Sequence, residues 1–348
     1  MSKIDLDLKN ELQGKGFYNF EGTWYGLPYT PAERLSTPIT PRENIRRCFH
    51  GEAPKWLPDG TFDQVDITPD CIPDVVAGGY EGGVDTFGVK WIPLENGLPA
   101  MVPPGNPLLT DIADWSDLIW PDVASWDWDA CGKQYQQTLG TDRWFRGVIM
   151  SSYFERLIAL MDFEAAAMAL LEDPEAVAAF FDKLTDFHIE MIDHYQQHFK
   201  VDSIMMHDDW AAQRSPFFSI KVVRELFVPQ YQKLVKHCHE KGLKLILHTC
   251  GNVRELIPAM IEAGLDGLQI QENAINLEEV IREYGDAISF EAYFDLPMDD
   301  AEAKAFIAEK CRIMGQSSKS VISFYDMNET RGFDVRRSIY ENERIVVN

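Results

Sequence analysis

The chain has 348 residues, and its 45% hydrophobic and 25% charged content is ordinary for a globular protein with a large core. Its 56 acidic and 32 basic residues give a formal net charge of -24, which disfavours nucleic acids and anionic membrane surfaces as partners. Residues 1–10 lack the apolar run of a signal peptide, and no apolar stretch reaches the length of a membrane helix. The six cysteines do not suggest a disulfide framework, so we expect a cytoplasmic protein.

Residues 1–55 are predicted to form an extension and a first helix, ahead of a main domain over residues 56–348. The helix is expected to begin at Thr40, with Pro41 in its first position and Glu43 completing a capping box. Residues 56–145 are rich in Trp, Gly and Pro, which favours long loops. The part from 56 to 95 has room for two strands.

From residue 145 onwards, short apolar runs alternate with helical patterns. The runs predict buried parallel strands over residues 145–150, 202–207, 243–248, 267–271, 287–291 and 320–325. The helical patterns cover residues 174–199, 221–241, 253–263, 277–284 and 299–314. Together with two strands in 56–95, this alternation predicts an α/β fold, a (β/α)8 TIM barrel with an N-terminal extension.

Polar residues follow every clear strand. They are Ser151-Ser152-Tyr153, His207-Asp208-Asp209-Trp210, His248-Thr249-Cys250, Gln271-Glu272-Asn273, Glu291-Ala292-Tyr293 and Tyr325-Asp326. Active sites of such barrels lie at the carboxyl ends of the strands. Six polar endings in register therefore predict one convergent pocket.

His248 and Cys250 are the sharpest pair of candidate ligands. Two residues apart on an extended segment, they point to the same side, and both are good zinc ligands. A satisfied buried imidazole beside a small buried thiol is the alternative. Gly251, which follows, would let the backbone approach a ligand closely.

Asp208 and Asp209 are adjacent carboxylates preceded by His207. Crowded like charges raise one pKa, which suits acid/base chemistry or metal binding. The alternative is that one aspartate caps the next helix while the other is solvated. We retain both interpretations at this point.

Three segments in this order and spacing resemble the uroporphyrinogen decarboxylase-like superfamily. They are Asp208-Asp209-Trp210-Ala211-Ala212-Gln213, His248-Thr249-Cys250-Gly251-Asn252 and Glu262-Ala263-Gly264-Leu265-Asp266. The similarity extends over roughly residues 40–330 and implies a (β/α)8 fold. The superfamily includes decarboxylases and also zinc-dependent methyltransferases that exchange methyl groups with a corrinoid protein.

The resemblance is closer to the methyltransferase branch. The chain lacks the Arg-Gln-Ala-Gly-Arg segment with which the decarboxylases hold substrate carboxylates, whereas His248 and Cys250 resemble the methyltransferase zinc site. The third ligand of that site is usually a Cys in a Pro-Gly-Cys segment, where this chain has Tyr325-Asp326-Met327-Asn328. An oxygen ligand, Glu291 or Asp326, would have to replace it.

The sequence thus predicts a corrinoid-dependent methyltransferase acting on a small methylated substrate, with methoxylated aromatic compounds as candidates. Zinc would be held by His248, Cys250 and Glu291 or Asp326, and the candidate catalytic residues are His207, Asp208, Asp209, Gln213 and Tyr325. No cobalamin motif is present, so cobalamin is expected on a separate corrinoid protein. A uroporphyrinogen decarboxylase-like decarboxylase is the alternative. A binding protein on a disabled barrel is disfavoured by the polar strand ends.

Overall fold

A parallel sheet of seven strands forms the centre of the molecule. The computed structural model describes residues 10–18, 23–24, 27–28, 32–95 and 98–342. The strands of the sheet are β1 (Gln64–Ile67), β2 (Trp144–Ile149), β3 (Ser203–His207), β4 (Lys244–Thr249), β5 (Gly267–Ile270), β6 (Ser289–Asp295) and β7 (Val321–Tyr325). They lie side by side in chain order and all pair in parallel. The six strands predicted after residue 145 are confirmed.

Helices connect these strands and cover the outer face of the sheet. They are α1 (Pro41–Phe49), α2 (Pro73–Ala77), α3 (Trp128–Gln134), α4 (Gln136–Leu139), α5 (Phe154–Met161), α6 (Phe163–Glu172), α7 (Pro174–Phe199), α8 (Ile220–Val222), α9 (Val228–Glu240), α10 (Ile257–Glu262), α11 (Leu277–Tyr284), α12 (Asp300–Met314) and α13 (Val335–Asn342). Short 3-10 helices span Ile112–Asp117, Val123–Ser125, Arg254–Leu256 and Glu272–Ala274. None of the described helices combines the length and apolarity needed to cross a membrane.

The predicted helices agree closely with these bounds. Pro174–Phe199 and Leu277–Tyr284 begin and end where the hydrophobic pattern places them. The helix expected over 221–241 is divided by a π-helical turn at Val223–Phe227. The predicted N-cap is also found, because the Thr40 hydroxyl accepts the backbone N–H of Glu43 at 3.1 Å.

The eight-stranded barrel is not confirmed. Residues 56–95 are all described, and of them only β1 joins the sheet as a strand, whereas Gly83–Val84 and Lys90–Trp91 pair with each other as an antiparallel ribbon. The Asp85 carboxylate accepts the backbone N–H groups of Phe87 and Val89, both at 2.9 Å. The Asp85 side chain therefore satisfies backbone N–H groups that would otherwise bond to a neighbouring strand. The segment can satisfy these groups without joining the sheet.

The two edges of the sheet nevertheless meet. The segment just before β1 bonds to β7: Gly60 donates to the Ile322 carbonyl at 2.8 Å, and Ile322 donates to the Pro58 carbonyl at 2.9 Å. A side chain at Gly60 would collide with the Ser323 hydroxyl, since a Cβ there would lie 2.3 Å from it. The curvature of the sheet therefore encloses an interior.

Apolar residues divide between the two faces of the sheet. The large outer core packs the helices onto the strands, whereas Val148, Met205 and Ile246 form a small separate cluster. These three residues occupy one layer across β2, β3 and β4. Phe49 of α1 packs against them and stacks on Trp144 at 5.5 Å. Helix α1 therefore covers the amino-terminal end of the strands, and the opposite end is left for a site. The domain boundary at residue 55 stays a prediction, and parts of the N-terminal extension lie outside the described residues.

Charged residues also occupy the enclosed interior of the sheet. Arg146 on β2, with a side chain only 1% exposed, donates to both oxygens of Asp66 on β1 at 2.6 and 2.7 Å. It also bonds to Glu291 on β6, which in turn accepts the Gln64 amide at 3.0 Å. A residue on β6 can reach β1 and β2 only across an enclosed interior. Arg146 therefore connects strands that are not neighbours.

Replacing Arg146 with Met should destabilise the fold by about 3–5 kcal/mol, because two buried carboxylates would lose their partner. Urea unfolding of the purified variant measures this loss. Arg224→Met is the matched control. It breaks an exposed pair with Glu262, so its unfolding free energy should not change measurably. Equal stability of the two variants would contradict the structural role of Arg146.

Candidate functional site

The segments after β3 and β4 are held together beyond the ends of the strands. The strand register places His207 opposite His248, and His248 opposite Gln269 on β5. The pairing continues, since Asp208 donates its N–H to the His248 carbonyl at 3.0 Å. The N–H of Cys250 then bonds to Oδ1 of Asp209 at 2.7 Å. Side chains 41 residues apart in sequence are thereby fixed side by side.

Gly251 allows this close approach. Its φ of +78° lies in the left-handed region, and a Cβ there would stand 2.2 Å from the Ala211 carbonyl oxygen. The next residue, Asn252, donates to the Ala212 carbonyl at 2.9 Å. The turn after Cys250 therefore packs directly on the turn after Asp209, whereas the sequence predicted a close approach of this glycine to a ligand.

Asp209, His248 and Cys250 form a cluster of three different ligand types. Their ligand atoms all lie within 4.8 Å of one another, and within the described part of the chain no other group of three such side chains comes so close. His248 Nε2 lies 3.5 Å from Cys250 Sγ and 3.9 Å from Asp209 Oδ1. All three residues are half-buried. We refer to these residues as the 209–248–250 cluster.

Gln269 sets the orientation of His248. Its Oε1 lies 2.6 Å from His248 Nδ1, and a carbonyl oxygen can only accept, so Nδ1 carries the proton. Nε2 is then left with a free lone pair directed at the cluster. His207 stacks on the same ring with centroids 4.3 Å apart, and its own pKa is lowered well below the usual value, chiefly by burial. The imidazole of His248 is therefore held with Nε2 directed at Cys250 and Asp209.

Asp208 has a different task from Asp209. It is fully buried and accepts the backbone N–H groups of Tyr153, Phe154 and Glu155 at 3.2, 2.9 and 2.9 Å. These are the orphan donors at the start of α5, so Asp208 caps that helix from a neighbouring strand. Burial raises the pKa of Asp208 to about 7 even so. Asp208 therefore caps a helix that precedes it in the chain, and not the next helix as the sequence alternative had it, whereas Asp209 lies beside Cys250.

Glu155 is an additional acid at the site that the sequence gave no reason to select. Its pKa is raised well above the usual value, first by burial and then by the neighbouring charges of Asp209 and Asp208. Burial and Asp209 likewise raise the pKa of Cys250. An acidic residue in the first turn of a helix is ordinary in any sequence, so no pattern distinguished Glu155. The surroundings of the cluster disfavour further negative charge unless a cation is bound.

The remaining predicted site residues lie outside the cluster. Glu291 is bound by Arg146 and Gln64 in the interior, and Asp326 is bound twice by Arg331, at 2.6 and 2.8 Å. Gln213 donates to the Asn273 carbonyl at 2.9 Å, and Tyr325 is 62% exposed at the end of β7. The structure therefore brings Asp209, rather than Glu291 or Asp326, to His248 and Cys250.

Comparisons with known proteins agree with this architecture. Residues 147–316 match the model of the family described as uroporphyrinogen decarboxylase (URO-D). A methyltransferase from Methanosarcina mazei aligns with 87% of this chain and 97% of its own at 14% identity, with a TM-score of 0.57. An endo-1,4-beta-mannanase from Rhizomucor miehei aligns over 95% of both chains at 10% identity, with a TM-score of 0.48. No curated protein matches the sequence.

The fold is a TIM-barrel-like α/β fold with a curved parallel sheet of seven strands, and the candidate site lies at the carboxyl ends of these strands. The match of residues 147–316 to the uroporphyrinogen decarboxylase family model agrees with the family that the sequence motifs resemble. The likeness to the methyltransferase, at 14% identity, concerns the fold.

The two adjacent aspartates should respond differently to truncation. Asp208→Ala should destabilise the protein by about 2–3 kcal/mol, because three buried N–H donors lose their acceptor. Asp209→Ala removes one half-exposed acceptor and should cost about 1 kcal/mol or less. Urea unfolding of both variants without added metal gives the comparison. A larger loss for Asp209→Ala would refute the division of roles.

Proposed function

We propose that this chain is a methyltransferase that moves a methyl group between a small methylated substrate and a separate corrinoid protein, with zinc held by Asp209, His248 and Cys250. The observation that carries the proposal is the approach of one oxygen, one nitrogen and one sulfur ligand to within 4.8 Å. Catalytic zinc sites use three protein ligands of these types and keep a fourth position open. Asp209 takes the place for which the sequence offered Glu291 or Asp326.

The donor set fits zinc by its chemistry. Imidazole nitrogen, thiolate sulfur and carboxylate oxygen are all ordinary zinc ligands, and the mixture suits a borderline-soft cation better than magnesium or calcium. Nδ1 of His248 donates a hydrogen bond to Gln269 Oε1, and Nε2 faces Cys250 and Asp209. The backbone N–H of Cys250 orients Asp209. Ligand-orienting partners of this kind are typical of metal sites.

Zinc bound there would act as a Lewis acid toward the heteroatom that carries or receives the methyl group. The chain itself fixes the positions of the ligands and leaves the cluster open to solvent at the carboxyl ends of the strands, which we call the mouth. The side chains of His248 and Asp209 remain 21% and 38% exposed. A small substrate could therefore reach the cluster from the carboxyl ends of the strands, where His207 offers a flat ring beside it.

The substrate is left at the level of a small methylated compound. Methoxylated aromatic compounds remain candidates. However, three tryptophans of the loop-rich segment over residues 56–145 pack against helix α7. Trp115 and Trp120 pack on Phe180, and Trp128 packs on His194 of the same helix, α7. An aromatic substrate would instead meet exposed rings at the strand ends, such as Tyr325.

Cobalamin, in this proposal, is supplied by the corrinoid partner. The partner would dock over the mouth, and the acidic balance of this chain would favour a partner with a basic rim. A cytoplasmic location belongs to the same proposal and is supported by six free cysteines.

A decarboxylase of the family is the second candidate, favoured by the description of the matching family. Such an enzyme needs cations for substrate carboxylates. Two buried arginines are already paired, since Arg146 is committed to Asp66 and Glu291, and Arg156 donates to Asp74 and Asp85 at 2.6 and 2.5 Å. These pairings favour the methyltransferase.

The metal prediction is that the protein binds about one zinc ion per chain. Asp209→Asn and Cys250→Ser should each weaken binding by roughly 100-fold or more, and Gln269→Leu by roughly 10- to 100-fold. Cobalt(II) titration followed by absorbance reports affinity and, through its sulfur charge-transfer band, whether Cys250 is a ligand. Asp326→Asn is the matched control and should bind as the wild type does. If Asp326→Asn loses the metal and Asp209→Asn keeps it, Asp326 is the ligand and the present assignment is wrong.

The partner prediction concerns methyl transfer. The purified chain should retain no cobalamin, and a methylated substrate should transfer its methyl group only when a cobalamin-loaded corrinoid protein is added. The dissociation constant of that complex should rise several-fold between about 0.05 M and about 0.3 M salt, because opposite charges steer the association. Corrinoid absorbance follows the transfer. Tight cobalamin binding by this chain alone, or turnover after complete metal removal, would contradict the proposal.

A further inference from the structure

Two cysteines outside the 209–248–250 cluster lie in direct contact. Cys71 stands four residues beyond the end of β1, and Cys131 lies in α3, 60 residues further along the chain. The backbone N–H of Cys71 donates to Cys131 Sγ at 3.2 Å. The side chain of each cysteine shifts the pKa of the other. Both thiols are free.

The contact makes the two sulfurs unequal. Cys131 Sγ accepts the backbone N–H of Cys71, and the pKa of Cys131 is lowered, chiefly by its interaction with the Cys71 side chain. The pKa of Cys71 is raised, chiefly by the same interaction. Nearby Asp70 and Asp127 oppose a thiolate at Cys131 without reversing this direction. Because the thiolate is the nucleophile in thiol chemistry, Cys131 is the more reactive member of the pair.

Accessibility separates this pair from three of the other four cysteines, the exception being the half-buried Cys250. Cys71 is half-buried, and Cys131 keeps 5% of its surface exposed. The thiols of Cys48, Cys238 and Cys311 are fully buried. A reactive thiol beside a second, more accessible one is the arrangement found in redox-sensitive cysteine pairs.

We propose that Cys71 and Cys131 form a reversible intramolecular disulfide in the presence of hydrogen peroxide. The Cys131 thiolate attacks one peroxide oxygen, the O–O bond breaks, and the leaving hydroxide takes a proton to become water. The Cys71 thiol then attacks the sulfur of the resulting sulfenic acid, the S–O bond breaks, and a second water leaves. Two thiols are oxidised to one disulfide while the peroxide is reduced to two waters.

The bond would fix a loop at the site's own end of the sheet. Cys71 lies in the segment after the carboxyl end of β1, whereas α3 packs on α7, where Gly132 lies against His198. A disulfide would therefore tie a loop of the mouth to an outer helix. This inference depends on the contact between the two thiols and not on the proposed methyl transfer.

The test is made on the full chain, fully reduced, treated with hydrogen peroxide, and then alkylated after denaturation. Six alkylated cysteines should fall to four, peptide mapping should find residues 71 and 131 linked, and dithiothreitol should restore all six. The result should be the same in Cys250→Ser and Cys311→Ser backgrounds, with one thiol fewer. Six alkylated cysteines after oxidation, or a link that involves any other cysteine, would overturn the proposal.

Single variants test the assignment of the nucleophile. In Cys71→Ser, dimedone should trap a sulfenic acid on Cys131, because no second thiol remains to displace water. In Cys131→Ser, Cys71 should stay unmodified under the same treatment. Trapping on Cys71 instead would reverse the roles and contradict the mechanism. Mapping of the wild type decides the disulfide itself, whether or not either variant folds.

Discussion

The parallel register of β3, β4 and β5 is the constraint on which the site depends. It places His207, His248 and Gln269 at one level on the inner face of the sheet. Side chains alternate along a strand, so a slip of one residue in β4 would turn His248 toward the helices. The backbone bonds between the segments that follow β3 and β4 then extend this register beyond the sheet. The cluster is thus specified by strand pairing before any ion is present.

Alternation also explains why adjacent acids serve different purposes. Asp208 points toward the start of α5, where its carboxylate accepts hydrogen bonds from three backbone N–H groups. Asp209, one residue later, points toward Cys250 and stays half-exposed. In the interior, Glu291 likewise has a structural role, because its bond to Arg146 joins strands that are not neighbours. A carboxylate committed to a buried guanidinium is costly to withdraw for metal binding.

Periodicity made much of this fold predictable. Strands buried on both faces give continuous apolar runs, and every run after residue 145 became a strand. The contact of Gly251 with the Ala211 turn was not predicted, because the sequence indicated only a close approach of this glycine to a ligand. The missing eighth strand was not predictable, since Asp85 satisfies local backbone donors in a segment whose composition would also allow a strand.

The third ligand could not be identified from sequence order alone. Every strand ends in polar residues. Only the register in which neighbouring strands pair shows which carboxylate lies close to His248. Glu291 was taken by Arg146, 145 residues away, and no local pattern reports such a partner. Gln269 was hidden in the same way, inside a short apolar strand. The sequence identified the His248 and Cys250 pair, whereas their neighbours followed from three-dimensional pairing.

The central claim is that Asp209, His248 and Cys250 hold one metal ion. Anomalous diffraction at the zinc edge, from crystals grown with zinc, tests it most directly. We expect one strong peak for a zinc ion that lies about 2.0–2.2 Å from an Asp209 oxygen and from His248 Nε2, and about 2.3 Å from the Cys250 sulfur. A zinc peak held by Glu291 or Asp326, or no peak at the cluster, would contradict it.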